Sequence, residues 1–571
     1  MNLILKYMKP YRGKITLTMA LKFIGVILEL MIPYLLEYMI DEAAPKRRVW
    51  LVIILGLSMI LLAFIVRTCN VTANRMATRT ARDGIHTLRD DLFRKTIYLS
   101  GAEFDRISLP SLISRMTSDS YNVQSFIGMI QRLGVRAPIM LIGGLIVAWT
   151  MEMHLALVLL CIIPLMAFIT IFVSFRGIKV FRKVQEKLDD VVRILRENIT
   201  GMRIIRALSK SDYEKKRFFN ANKELTQTDI GAGMMMALPH PIMNLFLNVG
   251  LTIIIVIGAY RVNDGYMKPG VILAFLTYFN MILQAVMGIN RIFMQYSKAG
   301  ASADRIAVVM AAKEDVRETI DEELLDTDTV IEFENVSFCY GDNSDDSVKD
   351  ISFKIHKGES LGIIGSTGCG KTTLINLLLA FYNVENGVIR IHGRDIAGMS
   401  LHDIRDRFGV VFQNDTIFND TIYDNISFGR NISMDKVKLA AETAMLSPYI
   451  DTLSSGYDYM VAIKGMNLSG GQRQRLLIAR ALAKEPEILI LDDSSSALDY
   501  KTDAAIRNNI ENNYGNITKI TVAQRISSVK DMSHIIVMDE GRIISQGTHD
   551  ELIGSCEVYK DIYMSQMGAF E

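Results

Sequence analysis

The chain has little of what makes cross-links or metal sites. Its 5 cysteines, Cys69, Cys161, Cys339, Cys369 and Cys556, are scattered over 571 residues and odd in number. That pattern argues against a disulfide framework and a zinc site, and it suits a reducing compartment. Net charge is lacking too. Lys plus Arg at 63 and Asp plus Glu at 62 leave a formal charge of +1, so bulk charge gives no footprint for nucleic acid or another polyanion. Low-complexity tracts and short-period repeats are absent as well.

Apolar residues are what the chain has in quantity: 50% of the sequence, with a mean hydropathy of +0.22. A length of 571 residues exceeds one core and predicts two large units, one of them in lipid. Six apolar stretches lie near Ile15–Leu36, Val49–Val66, Leu133–Trp149, Leu155–Phe175, Ile242–Ala259 and Val271–Ile289. Each is close to the roughly 20 residues that cross a bilayer as a helix. The first is too long for a cleaved signal peptide and lacks a small-residue cleavage site. The connections at about Arg67–Phe126 and Phe175–Leu238 are long and rich in Lys and Arg, which keeps them cytoplasmic. Lys46, Arg47 and Arg48 fall on the other side and are outvoted. With few breakers, both long connections read as helices continuing beyond the membrane, and they are expected to turn near Leu109–Tyr121 and Lys210–Phe219.

After about Ala312 the texture changes. Residues 1–312 read as the membrane domain, the acidic stretch 313–329 as a linker, and 330–571 as a soluble α/β domain of short β-branched runs. Within the last, "LGIIGSTGCGKTTLINLLL" places a Gly-rich loop between a strand and an amphipathic helix. Gly365, Ser366, Thr367, Gly368, Cys369, Gly370, Lys371, Thr372 and the following Thr373 form the phosphate site. The glycines let backbone N–H groups turn toward phosphate oxygens, and the helix adds its positive end. Lys371 would reach the β and γ phosphates and Thr372 would ligate Mg²⁺. Cys369 occupies a free position of that loop. A second buried strand, "EPEILILDD", supplies Asp492 for the metal.

Between the two strands lies "LSGGQRQRLLIARALA", residues 468–483. It resembles the signature of the ATP-binding cassette (ABC) family, and the family's other motifs follow in order. The resemblance implies that Tyr340 stacks on adenine, that Gln413 links metal and attacking water to the membrane domain, and that Asp499 in "SALD" crosses to the opposite cassette. It further implies paired cassettes, each ATP being held between one P-loop and the other cassette's Ser469, Gly470, Gly471 and Gln472. Six spans before one cassette resemble the exporter branch. The implied fold is a type IV ABC exporter: an all-α six-helix membrane domain followed by an α/β P-loop nucleotide-binding domain. ATP and Mg²⁺ are the implied cofactors. The expected place is the inner or plasma membrane, multi-pass in lipid, with the cassette in the cytoplasm.

Two positions depart from the family pattern. Asp493 stands where the family has a catalytic glutamate, and Gln524 where it has a histidine on the γ-phosphate. Losing a methylene withdraws the carboxylate by roughly 1 Å, a misplacement that can cost on the order of 10²-fold in rate. A neutral amide donates a hydrogen bond but carries no positive charge. The expectation is therefore a degenerate half of a heterodimer, which binds Mg-ATP but hydrolyses it poorly and lends an intact signature to a second half-transporter. A slow homodimer and a nucleotide-gated regulatory or channel-like subunit are the alternatives. Ile463 replaces a further family glutamate before the signature.

In the membrane half, Lys22 and Glu29 share a face of the first span two turns apart. They either line a substrate cavity or pair with neighbouring helices. Arg132 and Arg136 open the third span, and Asn280, Gln284, Asn290 and Arg291 give the sixth a polar side. The substrate class stays open among small molecules, lipids and peptides. Methionines, including "MMM" at 234–236, suit packing and adaptable surfaces.

Overall fold

Apolar runs without breakers give the first half its long helices. The structure, a computed structural model, describes residues 1–315, 327–341, 347–495 and 497–567, without the side chains at 167, 170, 171, 173–175, 177–179, 181, 236, 239 and 240. Most of the expected linker and Met236 therefore lie outside the described residues. The chain divides into two units, Met1–Ile97 with Leu109–Ala312, and Tyr98–Ser108 with Lys313–Glu571.

The first unit is helical. A short α1 (Asn2–Met8) precedes α2 (Arg12–Tyr38) and α3 (Val49–Ile97). The turn helix α4 (Gly101–Ile107) follows, then α5 (Leu109–Ser114), α6 (Ser120–Leu133), α7 (Arg136–Met151) and α8 (Met153–Thr200). The unit ends with α9 (Met202–Ala207), α10 (Ser211–Ala237), α11 (Pro239–Asn263) and α12 (Pro269–Ala311). With 49, 48 and 43 residues, α3, α8 and α12 run far beyond a bilayer's hydrocarbon: about 65 to 75 Å at 1.5 Å per residue against about 30 Å. Among the described residues five helical stretches are long and apolar enough to span. The remaining expected span, the fourth (Leu155–Phe175), begins in the apolar stretch Met153–Met166 of α8 and runs on into residues whose side chains are not described. Where α2, α7 and α12 meet, Val26, Leu30, Met140 and Tyr278 are buried together. The Tyr278 hydroxyl there donates to the Leu30 carbonyl at 2.7 Å.

Both intracellular turns fall earlier in the chain than expected. The first is Tyr98–Ser108 rather than Leu109–Tyr121, because Ser100 caps α4 by accepting from the Glu103 amide. The second runs from Gly201, where α8 stops, to Lys210, just before α10.

The second unit holds two sheets. The strands are β1 (Thr329–Phe338), β2 (Val348–His356), β3 (Ser360–Gly365), β4 (Asn386–Ile391), β5 (Arg394–Asp395) and β6 (Phe408–Val411). After them come β7 (Ile488–Asp492), β8 (Thr518–Val522), β9 (His534–Asp539) and β10 (Arg542–Gly547). One sheet is antiparallel, ordered β2-β1-β4-β5, and the other runs β10-β9-β3-β8-β7-β6. In the larger sheet every pairing is parallel except β9 with β10. Five consecutive buried residues in β7 show why the sequence reads there as an unbroken apolar run. The helices of this unit include α13 (Lys371–Leu378), α14 (Leu401–Asp406), α15 (Ile422–Ser427), α16 (Met434–Thr443), α17 (Ser447–Ile450), α18 (Gly470–Leu482) and α19 (Tyr500–Asn513).

The turn Tyr98–Ser108 belongs to this second unit. The Asp315 amide donates to the Tyr98 carbonyl at 2.8 Å, Arg405 Nη2 reaches Asp315 at 2.9 Å, and the Tyr382 hydroxyl bonds the Asp105 carboxylate. Ile490 of β7 is fully buried. Truncating it to alanine should destabilise this unit by about 2–5 kcal/mol, read as a lower transition for this unit in calorimetry of the full chain.

Candidate functional site

Four parallel strands end side by side, and their ends carry the site. Ile363 of β3 pairs with Val522 of β8, Asp492 of β7 with the same Val522, and Val411 of β6 with Leu491. The residues just past those pairs are the Gly-rich loop, Asp493, Gln524 and Gln413. They border a cavity of ≈ 290 Å³ together with Tyr340, Thr367, Gly368, Gly370, Lys371, Thr372, Thr373 and Asp492. Such a crevice at the carboxyl ends of strands is where open α/β sheets bind ligands. Ser347, Val522 and Ala523 also line it. Sequence reasoning missed them because they carry no motif and arrive only through strand register.

The loop has the backbone a phosphate cradle needs. Gly368 and Gly370 sit at φ +88° and +97°, and a side chain at Gly370 would come within 2.6 Å of the Ser347 carbonyl. Gly365 is equally closed to a side chain, by the Met538 carbonyl of neighbouring β9. Lys371 is buried, and its Nζ donates to the carbonyls of Gly365 at 2.9 Å and Ser366 at 2.7 Å. Cys369 is buried with its Sγ 3.6 Å from that ammonium, and Ser366 Oγ donates to Asp539 at 3.2 Å. Neither side chain lines the cavity.

The Thr372 hydroxyl donates to Asp492 Oδ2 at 3.3 Å, so two hard oxygens meet at the mouth of the loop. Burial pushes the Asp492 carboxyl up and the neighbouring Asp493 charge adds to this, against the pull of Thr372 and Lys371. Tyr340 is set by its surroundings. Its hydroxyl donates to Thr373 Oγ1 at 3.4 Å and accepts from Asn376 at 3.2 Å, while its ring stands edge-on to Tyr382 with centroids 5.1 Å apart.

Asp493 takes a left-handed backbone, φ +51°, with its amide donating to the Val522 carbonyl at 2.9 Å. Its Oδ2 accepts two amides, Gln413 Nε2 at 3.2 Å and Gln524 Nε2 at 3.4 Å. Read from the sequence, each of the three residues has a role of its own. The structure brings them together on one oxygen.

The signature residues lie elsewhere. Ser469 caps α18, accepting from the Gln472 amide at 3.2 Å, and Gln472 Oε1 accepts from the Ser469 amide at 2.7 Å. Ser469, Gly470, Gly471 and Gln472 take no part in the wall of the cavity described above. Asp499 caps α19 through the Thr502 amide at 3.0 Å, and the Thr502 hydrogen bonds hold its carboxyl below the usual range. Ile463 stands exposed in a short 3-10 turn ahead of α18.

A phosphate loop and a paired carboxylate strand on a cassette-like sheet, fused to a bundle of membrane-length helices, define a nucleotide-driven membrane transporter. Residues 15–286 match the family model of the ABC transporter transmembrane region, and residues 348–496 match that of the ABC transporter family. The chain is 33% identical to the uncharacterized ABC transporter ATP-binding protein YfiB of Bacillus subtilis, over 99% of this chain and 98% of that one. It is 30% identical to the ATP-dependent lipid A-core flippase of Desulfotalea psychrophila, over 98% and 97% respectively. A bacterial Atm1-family ABC exporter with ATP bound shares the fold, with a TM-score of 0.82 at 22% identity over 97% of this chain and 98% of that one. The chain belongs to the ABC transporter family. It is an ATP-binding half-transporter of type IV exporter fold, multi-pass in the membrane with its cassette in the cytoplasm.

Replacing Gly370 by alanine adds a side chain where φ is +97° and the Ser347 carbonyl is 2.6 Å away. The loop must open to accept it. ATP affinity, read with a fluorescent ATP analogue, is expected to fall by roughly 10-fold or more.

Proposed function

We propose that this chain is the degenerate half of a heterodimeric ATP-driven exporter. Its membrane domain spans 1–312, joined through 313–329 to a cassette over 330–571. The observation that carries the reading is the Asp493 carboxylate, tied through one oxygen to Gln413 and Gln524. Phosphoryl transfer to water needs that carboxylate to accept a proton within about 2.6–3.2 Å of the attacking water. Here the side chain is one methylene short, and the amides of both neighbours hold it back toward the strand ends. Gln524 also lacks the charge a histidine would bring to the γ-phosphate.

The same site suits binding. Lys371 and the loop amides serve the phosphates, Tyr340 the adenine, and Thr372 and Asp492 offer oxygens to Mg²⁺, with Gln413 in reach of the same mouth. Bound Mg²⁺ would neutralise charge on the β and γ phosphates. Ser469 to Gln472, preorganised by their capping box, would serve the P-loop of a second, hydrolysing half-transporter. Cargo would be a small molecule, peptide or lipid, and the flippase among the similar proteins keeps lipid in that set. A second reading, a slow homodimer, draws on the same contact, since Gln524 still positions a carboxylate at the phosphate end.

ATP hydrolysis by the chain alone, compared with the chain co-expressed with a neighbouring half-transporter, separates the two. Negligible turnover alone and robust turnover in the pair supports the degenerate half, whereas equal turnover alone establishes the homodimer. In the pair, Asp493→Ala should change turnover by no more than about twofold, while removing the partner's catalytic carboxylate should abolish it. Conversely, Asp493→Glu combined with Gln524→His should raise hydrolysis by the chain alone by on the order of 10²-fold.

A further inference from the structure

Tyr340 stands two residues past the end of β1, so its ring owes its place to side-chain contacts rather than to strand pairing. Two of those contacts are aromatic. Phe338 and Tyr382 lie nearly perpendicular to it, at 85° and 87°, with centroids 5.0 and 5.1 Å away. Edge-to-face pairs are favourable over a range of about 4.5–7 Å, so they centre the ring and still let it roll. The hydroxyl is held more strictly. It accepts from Asn376 Nδ2 at 3.2 Å and donates to Thr373 Oγ1 at 3.4 Å. Both partners belong to α13, three residues apart and therefore on one face of that helix.

Thr373 borders the nucleotide cavity, whereas Asn376 takes no part in its wall. Asn376 thus touches the ring and not the ligand. Asparagine is among the weaker helix formers, and its neighbours along α13, Leu374, Ile375, Leu377 and Leu378, are buried apolar side chains. What sets position 376 apart is its bond to Tyr340. The same helix opens with Lys371 and Thr372, which serve the phosphates and the metal. A tether from Asn376 to the phenol therefore joins the ring to the element that carries the phosphate groups. With its hydroxyl engaged on α13, Tyr340 offers a base its ring rather than its polar tip.

We propose that Asn376 is a positioning residue for the nucleobase: its amide fixes the Tyr340 ring relative to the P-loop helix, so that a base on the ring and a triphosphate in the loop are bound as one ligand. This role rests on the reading that Tyr340 takes the adenine, and it adds the residue that orients the ring. A ring already oriented loses less freedom when the base arrives, and the difference appears as affinity for the base. A ligand without a base gains nothing from it.

The test is isothermal titration calorimetry of the full chain in detergent with Mg-ATP and with Mg-tripolyphosphate, which has no base. The readout is the preference for ATP, the ratio of the two dissociation constants. Tyr340→Ala should cut that preference on the order of 10-fold. An unchanged preference there overturns the adenine contact itself, and the proposal with it. Asn376→Ala, which suits the helix better, should weaken ATP by about 3- to 10-fold and leave tripolyphosphate unchanged. Tyr340→Phe keeps the ring without the hydroxyl and should do the same, and the two changes together should cost no more than either alone. Asn376→Asp has the same shape and keeps the bond by accepting from the phenol. Its charge acts on both ligands alike, so the preference for ATP should return to that of the parent chain. Equal loss of both ligands in Asn376→Ala, additive losses in the double variant, or an unchanged preference in Asn376→Ala while Tyr340→Ala lowers it, overturns the proposal and leaves Asn376 a surface residue of α13. Tripolyphosphate binding reports that each variant is folded, and Tyr340→Phe carries the test where a change on the helix disturbs the loop.

Discussion

The parallel register of β7, β8 and β3 is the constraint from which the rest of the site follows. Val522 pairs with Asp492 on one side and Ile363 on the other, so the carboxylates, the Gly-rich loop and Gln524 emerge at one edge of the sheet. A slip of one residue would turn Asp492 into the opposite face and carry Thr372 away from it. The strands are pinned by close packing. Gly362 abuts Val529, and Gly365 abuts the Met538 carbonyl of β9, so β3 leaves no room for a side chain at either position. The chemistry of the loop therefore depends on glycines chosen for packing as much as for turning.

That edge also explains how two departures from a family pattern can act as one. Asp493 and Gln524 are 31 residues apart in sequence yet share a hydrogen bond, with Gln413 on the same oxygen. The signature is built on separate supports: the capping box at Ser469 and the start of α18 depend on neither residue. A change at the Asp493 end therefore leaves the signature turn undisturbed.

The phosphate loop, the carboxylate strand and the apolar stretches were legible because each is written in consecutive residues with one physical meaning. What could not be read depends on neighbours distant in sequence. Ser347 and Ala523 reach the cavity only through strand pairing, and the Arg136–Glu29 pair joins two helices 107 residues apart. The first intracellular turn was misplaced for a different reason. Ser100 and Glu103 form the S-x-x-E pattern of a helix start, but the polar, breaker-poor sequence around them gives it no contrast, so the pattern points one helix too far along the chain. The second hid the same way behind Gly201, which ends α8 nine residues before Lys210.

Within the second unit, packed side chains lead from the nucleotide cavity to the turn Tyr98–Ser108. Tyr340, on the wall of the cavity, stands edge-on to Tyr382, whose hydroxyl bonds Asp105 in the turn between α3 and α5. Burial and the Asp105 charge both raise the Tyr382 phenol, so it stays a donor at neutral pH. Whatever shifts Tyr340 therefore loads a side chain already bonded to the turn that follows α3. Tyr340, Tyr382 and Asp105 thus form a short path of packed rings and one charge-assisted hydrogen bond within the second unit.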